Sequence, residues 1–340
     1  MTQKEKISIA VDAMGGDNAP YEIVKGVVTA AKLWNIKIYL VGKEDDINKE
    51  LSLYNIKGLD LEVVHASEVI EMGESPAKAI KRKKDSSIVK AFNLISEGKA
   101  QAFVSAGNTG ACMAAAFFTL GRLHGIERPA IAALLPTINH TPAVLIDAGA
   151  NSDCEPEMLI QFAQMGNIFA SKVLGIENPR VGTLNIGGED SKGNALSVAT
   201  YKMLKEDPRG LNFVGNIEGR DVFLGKTDVI VCDGFSGNVT LKVAEGVAKM
   251  LLAIIKHELS QSLITKIGAI LAKPAFRAVK KRIDYEEYGG SLLLGINGIC
   301  VIAHGGSNDS AIKNAIRVGM ESVEKDVTRK IADLCELAKV

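Results

Sequence analysis

The sequence predicts an α/β fold built on a largely parallel sheet. Three observations carry that reading. Short apolar runs rich in β-branched residues recur along the chain, the stretches between them are mostly helical in pattern, and six of the runs end in clusters of Gly, Asn, Asp and Ser. With 340 residues, 47% of them hydrophobic, the chain can bury a large core, and two lobes or one large sheet both stay open.

In order, strands are expected at residues 7–11 (ISIAV), 36–41 (IKIYLV), 61–65 (LEVVH), 102–105 (AFVS), 143–146 (AVLI), 181–186 (VGTLNI), 229–232 (VIVC) and 299–303 (ICVIA). Pro156 and Pro179 do not mark a domain boundary, because neither lies in a polar, linker-like stretch. Residues 1–340 are therefore read as one three-layer α/β/α domain, with residues 258–284 as a protruding amphipathic helical appendage.

Forty Lys and Arg balance forty Asp and Glu, so the overall field that a nucleic-acid binder relies on is missing. No run approaches the roughly 20 apolar residues of a membrane span, and MTQKEK before a strand is not a signal peptide, so a cytoplasmic protein is expected. The five cysteines, Cys112, Cys154, Cys232, Cys300 and Cys335, are never spaced as C-x-x-C, and the five histidines pair neither with them nor as H-E-x-x-H. Neither a disulfide framework nor a bound metal is expected.

The turns after the strands carry the functional signal. They hold Asp12, Gly15, Gly16 and Asp17; Ser105, Gly107, Asn108 and Thr109; Asp147, Gly149 and Asn151; Asn185, Gly187 and Gly188; Asp233, Ser236 and Asn238; and His304, Gly305 and Gly306. In an open parallel sheet such turns share the carboxyl edge, where backbone N–H groups and helix N-termini receive an anion. The bland alternative is ordinary turn and N-cap chemistry.

Familiar motifs fail on spacing. In GRDVFLGKT (219–227) the first glycine stands one residue too far away for a phosphate loop, and a strand follows where a helix should. Gly234-Phe235-Ser236-Gly237 closes one residue short of a nucleophile elbow, and no G-x-G-x-x-G follows the first strand. Two basic segments remain. Residues 74–87 carry Lys78, Lys81, Arg82, Lys83 and Lys84, which form either a solvated helix face or a dock for an acidic partner. Residues 260–283 hold six cations and no acid, with Leu263, Ile267 and Leu271 at helical spacing; this is either an element lying on an anionic membrane or an interface helix pair whose lysines snorkel.

AVDAMGGDNAP (10–20), VSAGNTGA (104–111), LIDAGANSDCEPE (145–157), VIVCDGFSGNV (229–239) and DYEEYGGSLLLGINGICVIAHGGSN (284–308), in one order to about residue 330, resemble the bacterial phosphate acyltransferases of glycerolipid synthesis. The resemblance implies the fold of isocitrate and isopropylmalate dehydrogenases and phosphate acetyltransferases. It also implies transfer of a fatty acyl group from acyl carrier protein to inorganic phosphate, giving acyl phosphate and no call for a cofactor. Where that family commonly has DAMGGDHAP, this chain has Asn18, so no histidine base is expected there.

Ionised phosphate attacking a thioester needs neither an enzyme nucleophile nor a metal, only positioning and oxyanion stabilisation. Phosphate binding is therefore assigned to Gly15, Gly16, Ser105, Asn108, Thr109, Asn185, Ser236 and Asn238, and catalytic roles to Lys192, Asp12, Asp233 and His304. Lys81, Arg82 and Lys84 are the expected dock for the acidic carrier protein. Leu263, Ile267 and Leu271 are the expected contact with the inner membrane surface, where a membrane-bound glycerol-phosphate acyltransferase receives the product. A homodimer is expected. The rivals are a nicotinamide-dependent decarboxylating dehydrogenase of similar fold and a noncatalytic membrane scaffold.

Overall fold

A computed structural model describes residues 6–283 and 288–337. In chain order it runs β1 (Ser8–Asp12), α1 (Tyr21–Leu33), β2 (Lys37–Gly42), α2 (Glu44–Leu51), β3 (Leu61–His65), α3 (Pro76–Arg82), α4 (Ser87–Ser96), β4 (Ala102–Ser105) and α5 (Thr109–Leu120). Then come β5 (Ala130–Leu135), β6 (Ala143–Ile146), α6 (Pro156–Lys172), β7 (Arg180–Asn185), α7 (Ala195–Glu206), β8 (Asn212–Glu218) and β9 (Val229–Val231). The chain closes with α8 (Gly234–Leu259), α9 (Leu263–Leu271), α10 (Lys273–Ile283), β10 (Ser291–Leu294), β11 (Ile299–Ile302), α11 (Asp309–Glu324) and α12 (Val327–Leu337).

The strands form one sheet in the order β3-β2-β1-β4-β11-β10-β5-β6-β9-β7-β8. Side chains alternate across it, and both faces are buried. Ile9 and Val11 enter a core covered by α1, α6 and α11, while Ala10 between them enters a second core under α4 and α5. The layering is α/β/α, as expected.

The sheet is mostly parallel, as expected, but its strands do not all run in one direction. Among the described residues seven ladders are parallel and three antiparallel, the latter joining β11 to β10, β10 to β5 and β5 to β6. The half from β3 to β11 therefore points one way and the half from β6 to β8 the other. The six Gly- and Asn-rich turns do not share one carboxyl edge: those after β1, β4 and β11 lie on one edge, and those after β6, β7 and β9 on the opposite edge. The reversal sits in β5 (AIAALL) and β10 (SLLL), short Ala- and Leu-rich strands that carry little β-branched signal.

Helix α8 has 26 residues and is about 39 Å long, far longer than the three-residue β9 that precedes it. It outruns the sheet, and Val243, Val247, Met250, Leu251 and Ile254 along it stay exposed. Helices α9 and α10 follow, and the Arg282 guanidinium donates to the carbonyls of Thr137 (3.1 Å) and Ile138. Of the expected appendage, Asp284 and the side chains of Lys280, Lys281 and Ile283 lie outside the described residues, as does the side chain of Cys335. Cys112, Cys154, Cys232 and Cys300 are free thiols. Among the described residues no helix is long and apolar enough to cross a membrane.

Candidate functional site

On the first edge the strand-end residues hold the loops together. Asp12 is fully buried and accepts hydrogen bonds from the Ser105 hydroxyl (2.7 Å) and the Met14 N–H (3.1 Å), while Ser105 in turn accepts from the Gly107 N–H (2.8 Å). Burial pushes the Asp12 carboxyl pKa up, and the hydrogen bonds from Ser87, Ser105, Met14 and Gly15 pull it back. Gly15 has no room for a side chain, since a Cβ would stand 2.4 Å from Oδ2 of Asp12. Gly16, at φ +101°, takes a backbone conformation that suits glycine. Asp17 N–H donates to the Gly305 carbonyl at 2.8 Å, which locks the turn after β1 to the turn after β11.

Asn108 is equally engaged. Its Oδ1 caps α5 through the Ala111 N–H (2.9 Å), and its Nδ2 donates to the carbonyls of Glu71, Met72 and Glu74. That leaves the N–H groups of Thr109 and Gly110 at the start of α5 without an intrahelical acceptor.

The opposite edge repeats the pattern. Buried Asp147 gathers the N–H groups of Ile131, Gly149, Ala150 and Asn151 at 2.7–3.1 Å. Burial raises its pKa, and those donors oppose the rise. Asp233 caps α8, accepting from both the N–H and the hydroxyl of Ser236 at 2.8 Å. A Cβ on Gly237 would stand 1.9 Å from the Asp147 carbonyl, so the first turn of α8 lies hard against the 147–151 loop. Asp12, Ser105, Asn108, Asp233 and Ser236 thus make hydrogen bonds that hold the loops of the two edges together.

Between α5 and α8 lies a cleft of about 490 Å³ on the second face of the sheet. Its floor is Ile131, Ala133 and Ile302, from the centre where the strands reverse. The short central strands bring the two edges within reach of one space. Ala148 N–H donates to the Ile131 carbonyl (2.9 Å), carrying Gly149 and Ala150 to the cleft from one edge, and Thr109, Gly110 and His304 reach it from the other.

Three polar residues of α8 complete the cleft: Asn238, Lys242 and Glu245. Asn238 is exposed, and among the described residues nothing bonds to its amide. Lys242 ion-pairs with Glu245 at 3.0 Å. The His304 Nδ1 accepts the Gly306 N–H at 3.2 Å, which places the proton of the neutral ring on Nε2, and burial lowers its pKa. Lys242 and Glu245 were missed in the sequence, although positions 238, 242 and 245 fall on one helix face. Lys192 and Asn185 stand apart. Asn185 ends β7 and Lys192 lies in the turn after it, where the Asn185 amide donates to the Lys192 carbonyl (2.9 Å), and neither lines the cleft.

The basic run divides. Lys83 turns inward to the Val69 carbonyl and to Glu74, whereas Lys81, Arg82 and Lys84 are exposed. The helix that carries Lys81 and Arg82 packs against α5, with Pro76 at its head against Gly110. Among the described residues no group of His, Cys, Asp and Glu is arranged to hold a metal.

Residues 7–330 match the family model described as "Fatty acid synthesis protein". The chain is 54% identical over 334 residues to a phosphate acyltransferase of Pelotomaculum thermopropionicum, covering 98% of this chain and 96% of that one. It is also 54% identical to the phosphate acyltransferase of Heliobacterium modesticaldum, covering 96% of each. Among solved structures, a phosphotransacetylase from Streptococcus pyogenes superposes with a TM-score of 0.61 at 16% identity, over 94% of this chain and 95% of that one. A 4-hydroxythreonine-4-phosphate dehydrogenase from Klebsiella pneumoniae gives 0.51 at 14% identity, over 96% of this chain and 100% of that one.

Proposed function

The chain belongs to the bacterial phosphate acyltransferase family and transfers an acyl group to phosphate, and from that premise we propose that the cleft between α5 and α8 is where the two reactants meet, with acyl carrier protein as donor. What carries the reading is identity of 54% across nearly the whole of both chains. A dehydrogenase or a noncatalytic scaffold is not favoured, since the dehydrogenase likeness is one of fold alone.

The residues divide the work by charge. The Asn238 amide, the N–H groups of Thr109 and Gly110 and the Lys242 ammonium bind inorganic phosphate. An oxygen lone pair of the phosphate forms a bond to the thioester carbonyl carbon, and the carbonyl becomes an oxyanion. The neutral His304 ring donates from Nε2 to that oxyanion as it forms. Collapse breaks the carbon–sulfur bond, and the pair leaves with sulfur as thiolate. Glu245 keeps Lys242 in place and touches no reactant.

Around the cleft we assign the remaining roles. Lys81, Arg82 and Lys84 dock the acidic carrier protein beside α5. The exposed Leu263, Ile267 and Leu271 of α9 rest on the inner face of the cytoplasmic membrane, where a membrane-bound glycerol-phosphate acyltransferase takes the acyl phosphate for phospholipid synthesis. The working unit is a homodimer formed from this single α/β domain. The test is an assay of thiol release from acyl carrier protein with and without inorganic phosphate. Phosphate-dependent release is expected, and release indifferent to phosphate would overturn the reading.

A further inference from the structure

We propose that the Ser291 hydroxyl is a catalytic group of the acyl transfer, a second donor to the oxyanion that forms on the thioester carbonyl; this rests on the cleft between α5 and α8 being the site of that reaction. Ser291 opens β10 and lines the cleft, half-buried. The alternation of the strand sets its face. Leu292 and Leu294 enter the first core and Leu293 the second, so Ser291 stands on the second face with Ile131, Ala133 and Ile302 of the cleft floor. Among the described residues nothing bonds to its hydroxyl.

The backbone beneath that hydroxyl is held from both sides. Gly289 (φ +88°) and Gly290 (φ +83°) precede it, and a Cβ on Gly290 would stand 2.8 Å from the Ile302 carbonyl oxygen, so the chain enters β10 pressed against β11. Ser291 pairs with Ile302 in the antiparallel ladder, and His304 follows two residues later. Such a diagonal step separates backbones by roughly 7–8 Å, a span across which a hydroxyl and a ring can each reach one oxygen at about 2.8 Å. The chemistry calls for that second donor. An oxyanion offers three lone pairs; the His304 Nε2–H meets one of them, and the apolar floor meets none. Thr109, Asn238 and Lys242, the other side-chain donors of the cleft, stand on α5 and α8 with the phosphate, whereas Ser291 shares the sheet edge with His304.

Ser291→Ala removes the hydroxyl and little else. In single turnovers of acyl carrier protein at saturating phosphate, transfer is expected to slow about a hundredfold while the half-saturating phosphate concentration moves less than about twofold. Ser291→Thr keeps an oxygen at the same place and is expected to recover most of the rate. A rate for Ser291→Ala within about threefold of the wild type overturns the proposal, since a lost oxyanion donor costs far more than that. So does a weakened hold on phosphate at an unchanged rate, a loss of rate matched by a fall in the urea midpoint, or a Ser291→Thr protein no faster than Ser291→Ala. Each of these leaves the reaction itself standing as long as wild-type thiol release depends on phosphate; wild-type release indifferent to phosphate would overturn the reading of the cleft instead.

Discussion

Two asparagines near helix starts show why residue type alone does not locate a site. Asn108 is 7% exposed and spends its whole amide on a cap and three loop carbonyls, whereas Asn238 stands exposed in the cleft with its amide unspent. Asn108→Ala is expected to lower stability by about 2 kcal/mol, through the lost cap and three orphaned acceptors, read as a shift in the urea midpoint. Asn238→Ala is expected to raise the KM for phosphate roughly tenfold, about 1.4 kcal/mol, with the midpoint nearly unmoved. Both residues were visible as turn asparagines in the sequence. Which one keeps its amide free of scaffold bonds was not, because that depends on the 71–74 loop arriving from elsewhere in the chain. His304 gives a pH test. Burial holds its pKa below the ordinary value of about 6.5, so the unfolded chain takes up the proton first, and stability falls as pH drops through 6.5 toward the folded pKa. Urea unfolding from pH 7.5 to 5.5 should show a shallower loss in His304→Gln than in the wild type; equal slopes would refute the assignment.

Helix α8 carries opposite expectations for two of its glycines. Alanine gains about 1 kcal/mol over glycine in a helix interior. At Gly246, where a Cβ meets nothing within 4 Å, that gain should appear as a raised Tm for Gly246→Ala. At Gly237 the Cβ strikes the Asp147 backbone, and Gly237→Ala should cost about 2 kcal/mol net by thermal unfolding. On α3 and just beyond it, Lys81→Glu with Lys84→Glu should raise the KM for acyl carrier protein several-fold, and added salt should reproduce this in the wild type; indifference to both returns the patch to a solvated face. Elements were legible where side chains announced them. The eight runs rich in β-branched residues are all strands of the sheet, and the layering followed from them. β5 and β10 were not, because alanine and leucine favour helix over strand and carry no strand signal. Their loss concealed the reversal of the sheet, and with it the fact that the two edges meet across the centre.

For the molecule as a whole, α9 poses the largest unanswered cost: Leu263, Ile264, Ile267, Ile270 and Leu271 are each more than half exposed. If they rest on lipid, wild-type protein should co-sediment with anionic vesicles and less with neutral ones, and Leu263→Glu with Ile267→Glu should abolish the binding. Equal binding by the variants would assign that face to another protein surface. The order of the sheet has a consequence in time as well as in space. β4 pairs with β11 and β5 with β10, so the hairpin joining the two halves is translated last of all the strands. Until Ser291–Ile302 leaves the ribosome, both halves wait with an unpaired apolar edge, each a template for a neighbouring nascent chain. Completion of the fold is therefore a late event that spans most of the chain length, and crowded synthesis makes this enzyme a natural client for chaperones that cover open strands.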